Sequence, residues 1–113
     1  MPEQREIVLI PVPFTNLETT KKRPVVVLSN TGHNNKSEDV IVAAITSNID
    51  SKGDGICIGS DDLDWGSLPV KSFIRADKIY TLSKDIIIRK YGCLNLISFK
   101  SIIEKLNHIL SVD

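Results

Sequence analysis

The side chains best suited to chemistry are an arginine and two hydroxyls at the ends of two apolar runs. Arg23 and Pro24 stand directly before the run 25–29, and Thr46 and Ser47 end a second run. Both runs are apolar and β-branched, which is typical of strands buried on two faces. An arginine at the end of a loop that leads into such a strand can stabilise negative charge through its fixed fork of donors. Because its pKa is high, any arginine is a poor proton donor.

Each candidate also has a purely structural interpretation. Arg23 can be a solvated loop charge, because most exposed charges do no specific work. Thr46 and Ser47 can satisfy backbone groups of the loop that follows their strand. Arg75 and Asp77 lie two residues apart on one strand face, where they can form a structural ion pair. Residue types alone leave both interpretations open.

Basic and aromatic residues near Arg23 add candidate contacts for a ligand. Lys21 and Lys22 form a compact basic cluster with Arg23, and such a cluster suits phosphates. Phe14 can offer a ring for base stacking, or it can plug the core at a strand end. Trp65 has the same two interpretations and can also pack against a partner protein.

Composition limits the classes of protein to be considered. The chain has 113 residues, which suits one domain over 1–113, and 14 Lys plus Arg balance 14 Asp plus Glu. Any nucleic-acid binding must therefore come from local patches. Cys57 and Cys93 are far apart in apolar surroundings, so free buried thiols in a reducing compartment are expected. The spacing of Cys and His predicts no metal site and no cofactor.

The remaining sequence signals predict a cytoplasmic protein without a histidine-based mechanism. No apolar stretch is long enough to span a bilayer, and the charged N-terminus does not resemble a signal peptide. His33 falls in a turn-rich segment and His108 on the polar face of a predicted helix. Both are expected to be exposed polar residues.

Short apolar segments separated by turns predict a small, mainly β barrel. The predicted strands are 7–12, 24–29, 40–46, 56–59, 72–75, 78–81 and 86–90. Apolar residues at three- and four-residue spacing from Phe99 to Leu110 predict a C-terminal helix, for which Asn95 is the expected N-cap. The segments 31–37 and 60–66 are predicted to be loops.

The chain resembles the MazF/PemK family of toxin endoribonucleases. The resemblance rests on the strand and proline pattern of 6–17, on KKRP at 21–24, on the Thr-Ser strand end, on 66–79 and on YGCL at 91–94. It implies an SH3-like small β-barrel of the MazF/PemK/CcdB type with a C-terminal α-helix. It also implies a type II toxin that cleaves single-stranded RNA without a metal, leaving 2′,3′-cyclic phosphate and 5′-hydroxyl ends.

The resemblance assigns roles to residues that match the family pattern. Arg23 and Thr46 match its catalytic pair, and Ser47 is expected to bind the scissile phosphate or a neighbouring base. In one branch of the family, residues that match Arg75 and Asp77 contribute to RNA binding and cleavage. With Lys22 and Phe14, they complete the candidate substrate-binding set.

The resemblance also implies partners. These are single-stranded RNA, a second copy of the chain in a homodimer, and a cognate antitoxin whose peptide occupies the RNA groove. DNA is expected only indirectly, through the antitoxin complex, and no membrane is expected. The alternative is a non-catalytic module of the same fold, either a gyrase-poisoning toxin or an inactive RNA- or peptide-binding relative. Arg5 and Glu6 stand where the family usually has Gly-Asp, which leaves the shape of the first loop open.

Overall fold

A computed structural model of the chain describes residues 2–12, 21–50 and 53–113. The described part contains seven strands and two α-helices. In chain order they are β1 (Glu6–Val12), β2 (Lys21–Val27), α1 (Thr31–Lys36), β3 (Asp39–Thr46), β4 (Gly55–Ile58), β5 (Leu63–Gly66), β6 (Ser72–Ser83), β7 (Arg89–Leu94) and α2 (Leu96–Ile109). Short 3-10 turns at Ser60–Asp62 and Lys84–Ile86 precede β5 and β7.

All seven strands form one antiparallel sheet with the order β4-β6-β3-β2-β1-β7-β5. The twelve-residue β6 pairs along β3, and the register shifts between Ala43 and Ala44. An irregularity of this kind bends a strand and increases its twist, which curls the sheet into a half-barrel. The predicted mainly β barrel with a C-terminal helix is therefore confirmed.

The curled sheet buries apolar side chains on both of its faces. Ile7 and Val26 belong to a core on the face that α2 covers, whereas Val8, Val25 and Val27 belong to a second core on the opposite face. Because successive strand residues point to opposite faces, the valine run of β2 supplies both cores. This confirms the prediction that the run is buried on two sides.

Helix α2 follows the predicted periodicity. Asn95 caps it, since its side-chain oxygen accepts a hydrogen bond from the backbone N–H of Ser98 at 2.8 Å. Phe99 and Ile102 are buried against the sheet, while Leu110 is largely exposed. No helix in the described part of the chain is long and apolar enough to cross a membrane.

Two predicted loops contain regular structure. Residues 31–36 form α1, because Asn30 accepts a hydrogen bond from the His33 N–H and Asn34 is fully buried. The Asn34 amide donates to the backbone oxygens of Pro2 and Ser29, which fixes the short helix to the N-terminal segment. Within 60–66, a 3-10 turn and β5 replace the loop, because β5 pairs with β7.

Strand boundaries also differ from the prediction. The segments 72–75 and 78–81 are one strand, because β3 pairs with both halves of β6. The apolar residues at 86–88 are not in a strand, since Ile86 and Ile87 pack against the second core and β7 begins only at Arg89. Cys57 and Cys93 are free thiols as predicted, but Cys57 is exposed because it faces outward from the short β4. Burial raises the pKa of the Cys93 thiol.

Candidate functional site

Arg23 lies in strand β2, which corrects the prediction that it ends a loop. Strand β1 continues through Pro11 to Val12. Its last three residues pair with residues 21–23, so these also belong to β2. Arg23 is opposite Ile10 in this pairing, and Lys22 is opposite Pro11. The basic side chains are exposed although their backbone is held in the sheet.

Strands β2 and β3 separate next to Arg23. Their pairing runs from Val27 opposite Val42 to Val25 opposite Ala44 and ends there. Pro24 has no N–H to donate, which suits a point where a strand leaves its neighbour. Continued, the same register would place Arg23 opposite Thr46. The two sequence-predicted catalytic residues therefore lie on the two sides of a fork in the sheet.

Two pockets open on either side of Arg23, and its side chain lines both. The first pocket has a volume of about 140 Å³ and is lined by Arg23, Pro24, Ile45, Ser47, Leu68, Pro69, Val70, Ser72 and Tyr91. The second has a volume of about 130 Å³ and is lined by Ile10, Val12, Arg23, Pro24, Val25, Ala44, Ile45 and Tyr80. Both walls are mainly apolar, so the guanidinium is the principal charge in either pocket.

Arg23 forms no ion pair with any carboxylate of the described residues, and neither do Lys21 and Lys22. Arg5, by contrast, forms an ion pair with Asp64 at 3.0 Å. An exposed cation without a carboxylate neighbour keeps its donors available for an anionic ligand. The fork is therefore suited to binding a phosphate.

The Thr46 hydroxyl is part of the turn that ends β3. Its Oγ1 accepts a hydrogen bond from the backbone N–H of Asn48 at 3.2 Å, as the structural interpretation of Thr46 predicted. The hydroxyl proton is still available to a ligand, because the oxygen acts here as an acceptor. Ser47 is exposed and lines the first pocket, whereas Thr46 is half-buried and lines neither.

Arg75 and Asp77 form the predicted ion pair on β6. The Arg75 Nε and Nη2 atoms donate to the two oxygens of Asp77, each at 2.8 Å. This hydrogen bonding holds the pKa of Asp77 below its usual range and raises the pKa of Arg75. Neither residue lines the pockets beside Arg23, and the pair lies close to the backbone of Gly53.

The structure brings together some of the predicted site residues and adds others. Arg23 and Ser47 line one pocket, whereas Lys22 lines neither, and Phe14 lies outside the described residues. Tyr80 and Tyr91 line the pockets but were not predicted to have a site role. Tyrosine is common in strands, so the sequence gives no signal that separates these two rings from core residues.

Histidines and metal ligands have no place in this site. His33 and His108 are exposed, as predicted, and neither lines the two pockets. Within residues 2–12, 21–50 and 53–113, no three His, Cys, Asp or Glu side chains are grouped as they are in a metal centre.

The fold and the fork define a small curled β-barrel protein with a cationic cleft for an anionic ligand. The sequence model of the family described as PemK-like, MazF-like toxins of type II toxin–antitoxin systems matches residues 3–110. The chain therefore belongs to this family, and it is a toxin of such a system. No curated protein sequence matches the chain.

Solved structures share the fold at low sequence identity. A mycobacterial endoribonuclease in complex with its cognate antitoxin superimposes with a TM-score of 0.80 at 19% identity, over 100% of this chain and 98% of that one. MazF from Deinococcus radiodurans gives 0.76 at 18% identity, over 98% and 97%. The Mycobacterium tuberculosis toxin MazF-mt6 gives 0.73 at 18%, over 96% and 99%. These similarities confirm the fold.

Proposed function

We propose that this toxin is an endoribonuclease that cleaves single-stranded RNA at the fork between β2 and β3. One observation carries the proposal: Arg23, which forms no ion pair with a described carboxylate, lies between two apolar pockets opposite the end of the strand that carries Thr46. Membership of the toxin family supports the proposal, and so do the structural relatives described as endoribonucleases.

The proposed reaction uses the 2′-hydroxyl of the substrate. The 2′-hydroxyl gives its proton to water as its oxygen forms a bond to the adjacent phosphorus. The bond from phosphorus to the 5′-oxygen breaks, and the 5′-oxygen takes a proton from water. The products are a 2′,3′-cyclic phosphate and a 5′-hydroxyl. Negative charge accumulates on the phosphoryl oxygens, and the guanidinium of Arg23, whose backbone is fixed in β2, stabilises it. No metal is needed for this step.

The hydroxyls beside Arg23 orient the phosphate. Because Thr46 Oγ1 already accepts a hydrogen bond from Asn48, its proton is directed to a different acceptor, and a phosphate oxygen is the proposed one. Ser47 lines the first pocket and binds the same phosphate or the adjacent base. Lys22, which is exposed one residue before Arg23, attracts a neighbouring phosphate.

Arg75 and Asp77 have a supporting role in this proposal. Their donors and acceptors largely satisfy one another, and the pair lines neither pocket. Any contact between RNA and this pair would therefore be made on β6, outside the fork between β2 and β3. Phe14, from the segment between β1 and β2, is proposed to stack on a base.

The proposed assembly is a homodimer in the cytoplasm that a cognate antitoxin inhibits. Structural relatives have been solved with an antitoxin, including the MazE-MazF complex of Deinococcus radiodurans. An antitoxin segment that occupies the fork would exclude RNA from Arg23. DNA contacts would then belong to the antitoxin.

The test is RNA cleavage in excess chelator. Purified protein is incubated with a long single-stranded RNA, the ends are mapped, and an Arg23→Ala variant from the same purification controls for contaminating nucleases. We expect cleavage that is insensitive to the chelator, with 5′-hydroxyl and cyclic phosphate ends. Activity that needs a divalent ion, or products with 5′-phosphates, would contradict the mechanism. RNA binding without cleavage would favour the non-catalytic alternative.

A further inference from the structure

The pockets beside Arg23 continue into a third, outer pocket. The outer pocket has a volume of about 370 Å³ and is lined by Gly66, Ser67, Pro69, Arg89, Lys90 and Tyr91. It shares Pro69 and Tyr91 with the first pocket, which in turn shares Arg23 with the second. The three pockets are therefore neighbours, with Arg23 between the first two and the outer pocket beside the first, and we call this surface the groove.

The Arg89 side chain lies over the Tyr91 ring, where the outer pocket meets the first. The guanidinium carbon of Arg89 lies 5.2 Å from the centre of the Tyr91 ring. A cation–π contact does not use the guanidinium N–H groups as hydrogen-bond donors, so these remain available. Arg89 is exposed and forms no ion pair with a carboxylate of the described residues. It is the second arginine of the groove with donors available for a phosphate.

Tyr91 is held rigidly between the two pockets. It is half-buried, and its side chain packs against the core that α2 covers. Its backbone is held as well, because β5 and β7 approach closely at Gly66 and Gly92, which are paired directly with each other. A ring with this support needs little ordering when a ligand binds, and preorganisation lowers the entropic cost of binding.

We propose that the outer pocket and Tyr91 bind the nucleotide that flanks the cleaved bond. Arg89 contacts its phosphate, and the edge of the Tyr91 ring, with the apolar wall at Leu68 and Pro69, contacts its base. Proteins that bind single-stranded nucleic acid combine a cationic groove with aromatic platforms in this way. The inference rests on the proposed endoribonuclease function and names two further substrate-positioning residues of the same site.

The test measures binding of an RNA that cannot be cleaved. A nine-nucleotide RNA centred on a mapped cut carries a 2′-deoxy sugar at the cleavage position, and its phosphates are replaced one at a time by uncharged methylphosphonates. Binding of wild type, Arg89→Ala and Arg89→Lys is measured at several salt concentrations. Lys100→Ala is the matched control, because it removes one exposed positive charge from α2, outside the groove.

Arg89→Ala is expected to reduce the salt slope of binding by about 0.7, the value for one phosphate contact to a single strand. At one flanking position, the methylphosphonate should weaken RNA binding by the wild type. The same replacement should not weaken RNA binding by Arg89→Ala any further, because the contact is already lost. Arg89→Lys should retain the salt slope, because it keeps the charge. Lys100→Ala should behave as wild type.

The Tyr91 contact is tested with Tyr91→Leu, which keeps an apolar side chain against the core but removes the ring. Affinity should fall by about 5-fold, the lower end of the range for an aromatic contact to one base. Replacing one flanking nucleotide by an abasic one should then cost nothing more. Thermal unfolding of the variant checks that the fold is intact.

The outcomes separate this inference from the proposed function. If wild type cleaves RNA but Arg89→Ala and Lys100→Ala share one salt slope and one methylphosphonate profile, the outer pocket is not a nucleotide site. The endoribonuclease proposal stands in that case. If wild type neither cleaves nor binds the RNA, both proposals are wrong.

Discussion

Replacing Gly66 by alanine is expected to destabilise the protein by disrupting the contact between β5 and β7. Gly66 has a φ of +87°, a conformation that residues with a Cβ rarely adopt. A Cβ at this position would lie 2.4 Å from the Tyr91 backbone oxygen and 2.5 Å from the Gly92 Cα. Both neighbours are backbone atoms, so a rotamer change cannot relieve the overlap and the strands must move apart.

The expected cost combines the two effects. A left-handed backbone conformation costs a residue with a Cβ about 1–2 kcal/mol, and an overpacked contact that shifts the backbone costs about 1–3 kcal/mol. We therefore expect a loss of about 2–5 kcal/mol in the free energy of unfolding. A domain of this size has about 5–15 kcal/mol in total, so the variant should still fold.

Urea unfolding measures this loss, with Gly59→Ala as the matched control. A Cβ at Gly59 would meet nothing closer than Lys71 Cγ at 4.0 Å, and its φ of −135° is ordinary extended backbone. Its change should stay within about 0.5 kcal/mol. The single tryptophan, Trp65, adjoins Gly66 and reports the transition by fluorescence. Equal stability of the two variants at one protein concentration would refute the argument.

Three further predictions concern stability, charge and assembly. Asn34→Ala should cost about 2–4 kcal/mol in thermal or urea unfolding, because it leaves the buried oxygens of Pro2 and Ser29 without their donor; a neutral change would contradict it. Asp77 should titrate below its usual pKa in a carboxyl NMR titration, so its stabilisation is present above about pH 4 and is lost as pH falls through the lowered value. Arg75→Gln should return that pKa towards normal, and no change would contradict the ion pair. Light scattering at micromolar concentration should show a homodimer, and a monomer would contradict the proposed assembly.

The sequence predicted most of the elements whose pattern is set by burial. The valine run of β2 is apolar on both faces, and the structure buries it between two cores. The apolar spacing after Asn95 likewise predicted α2 and its cap. In both segments the periodicity follows directly from which side chains face the core.

Elements held by tertiary contacts were not predictable from local pattern. Helix α1 contains Gly32 and two asparagines, which favour turns, and the buried hydrogen bonds of Asn34 stabilise it. The run 86–88 has the composition of a strand, yet it packs over the second core beside a 3-10 turn. Long-range pairing decides such cases, and the sequence does not display it.

The same limit applies to the candidate site. Arg23, Thr46 and Ser47 were identified because residue types and the resemblance pointed to them. Their meeting at a fork depends on where the pairing of β2 and β3 ends, which only the structure shows. Tyr91 and Arg89 were not identified as site residues, because their role depends on pockets formed by distant segments.

The most direct test of the account is single-turnover RNA cleavage by Arg23→Ala at saturating protein. Arg23 is exposed, and its strand pairs through backbone atoms, so the variant should keep its fold. Loss of one preorganised donor should lower the cleavage rate by about 10² to 10³. Lys22→Ala, the matched control one residue away, should cleave at the wild-type rate when saturated and bind RNA more weakly at low salt. A folded Arg23→Ala variant that cleaves as fast as wild type would contradict the central claim that Arg23 stabilises the transition state.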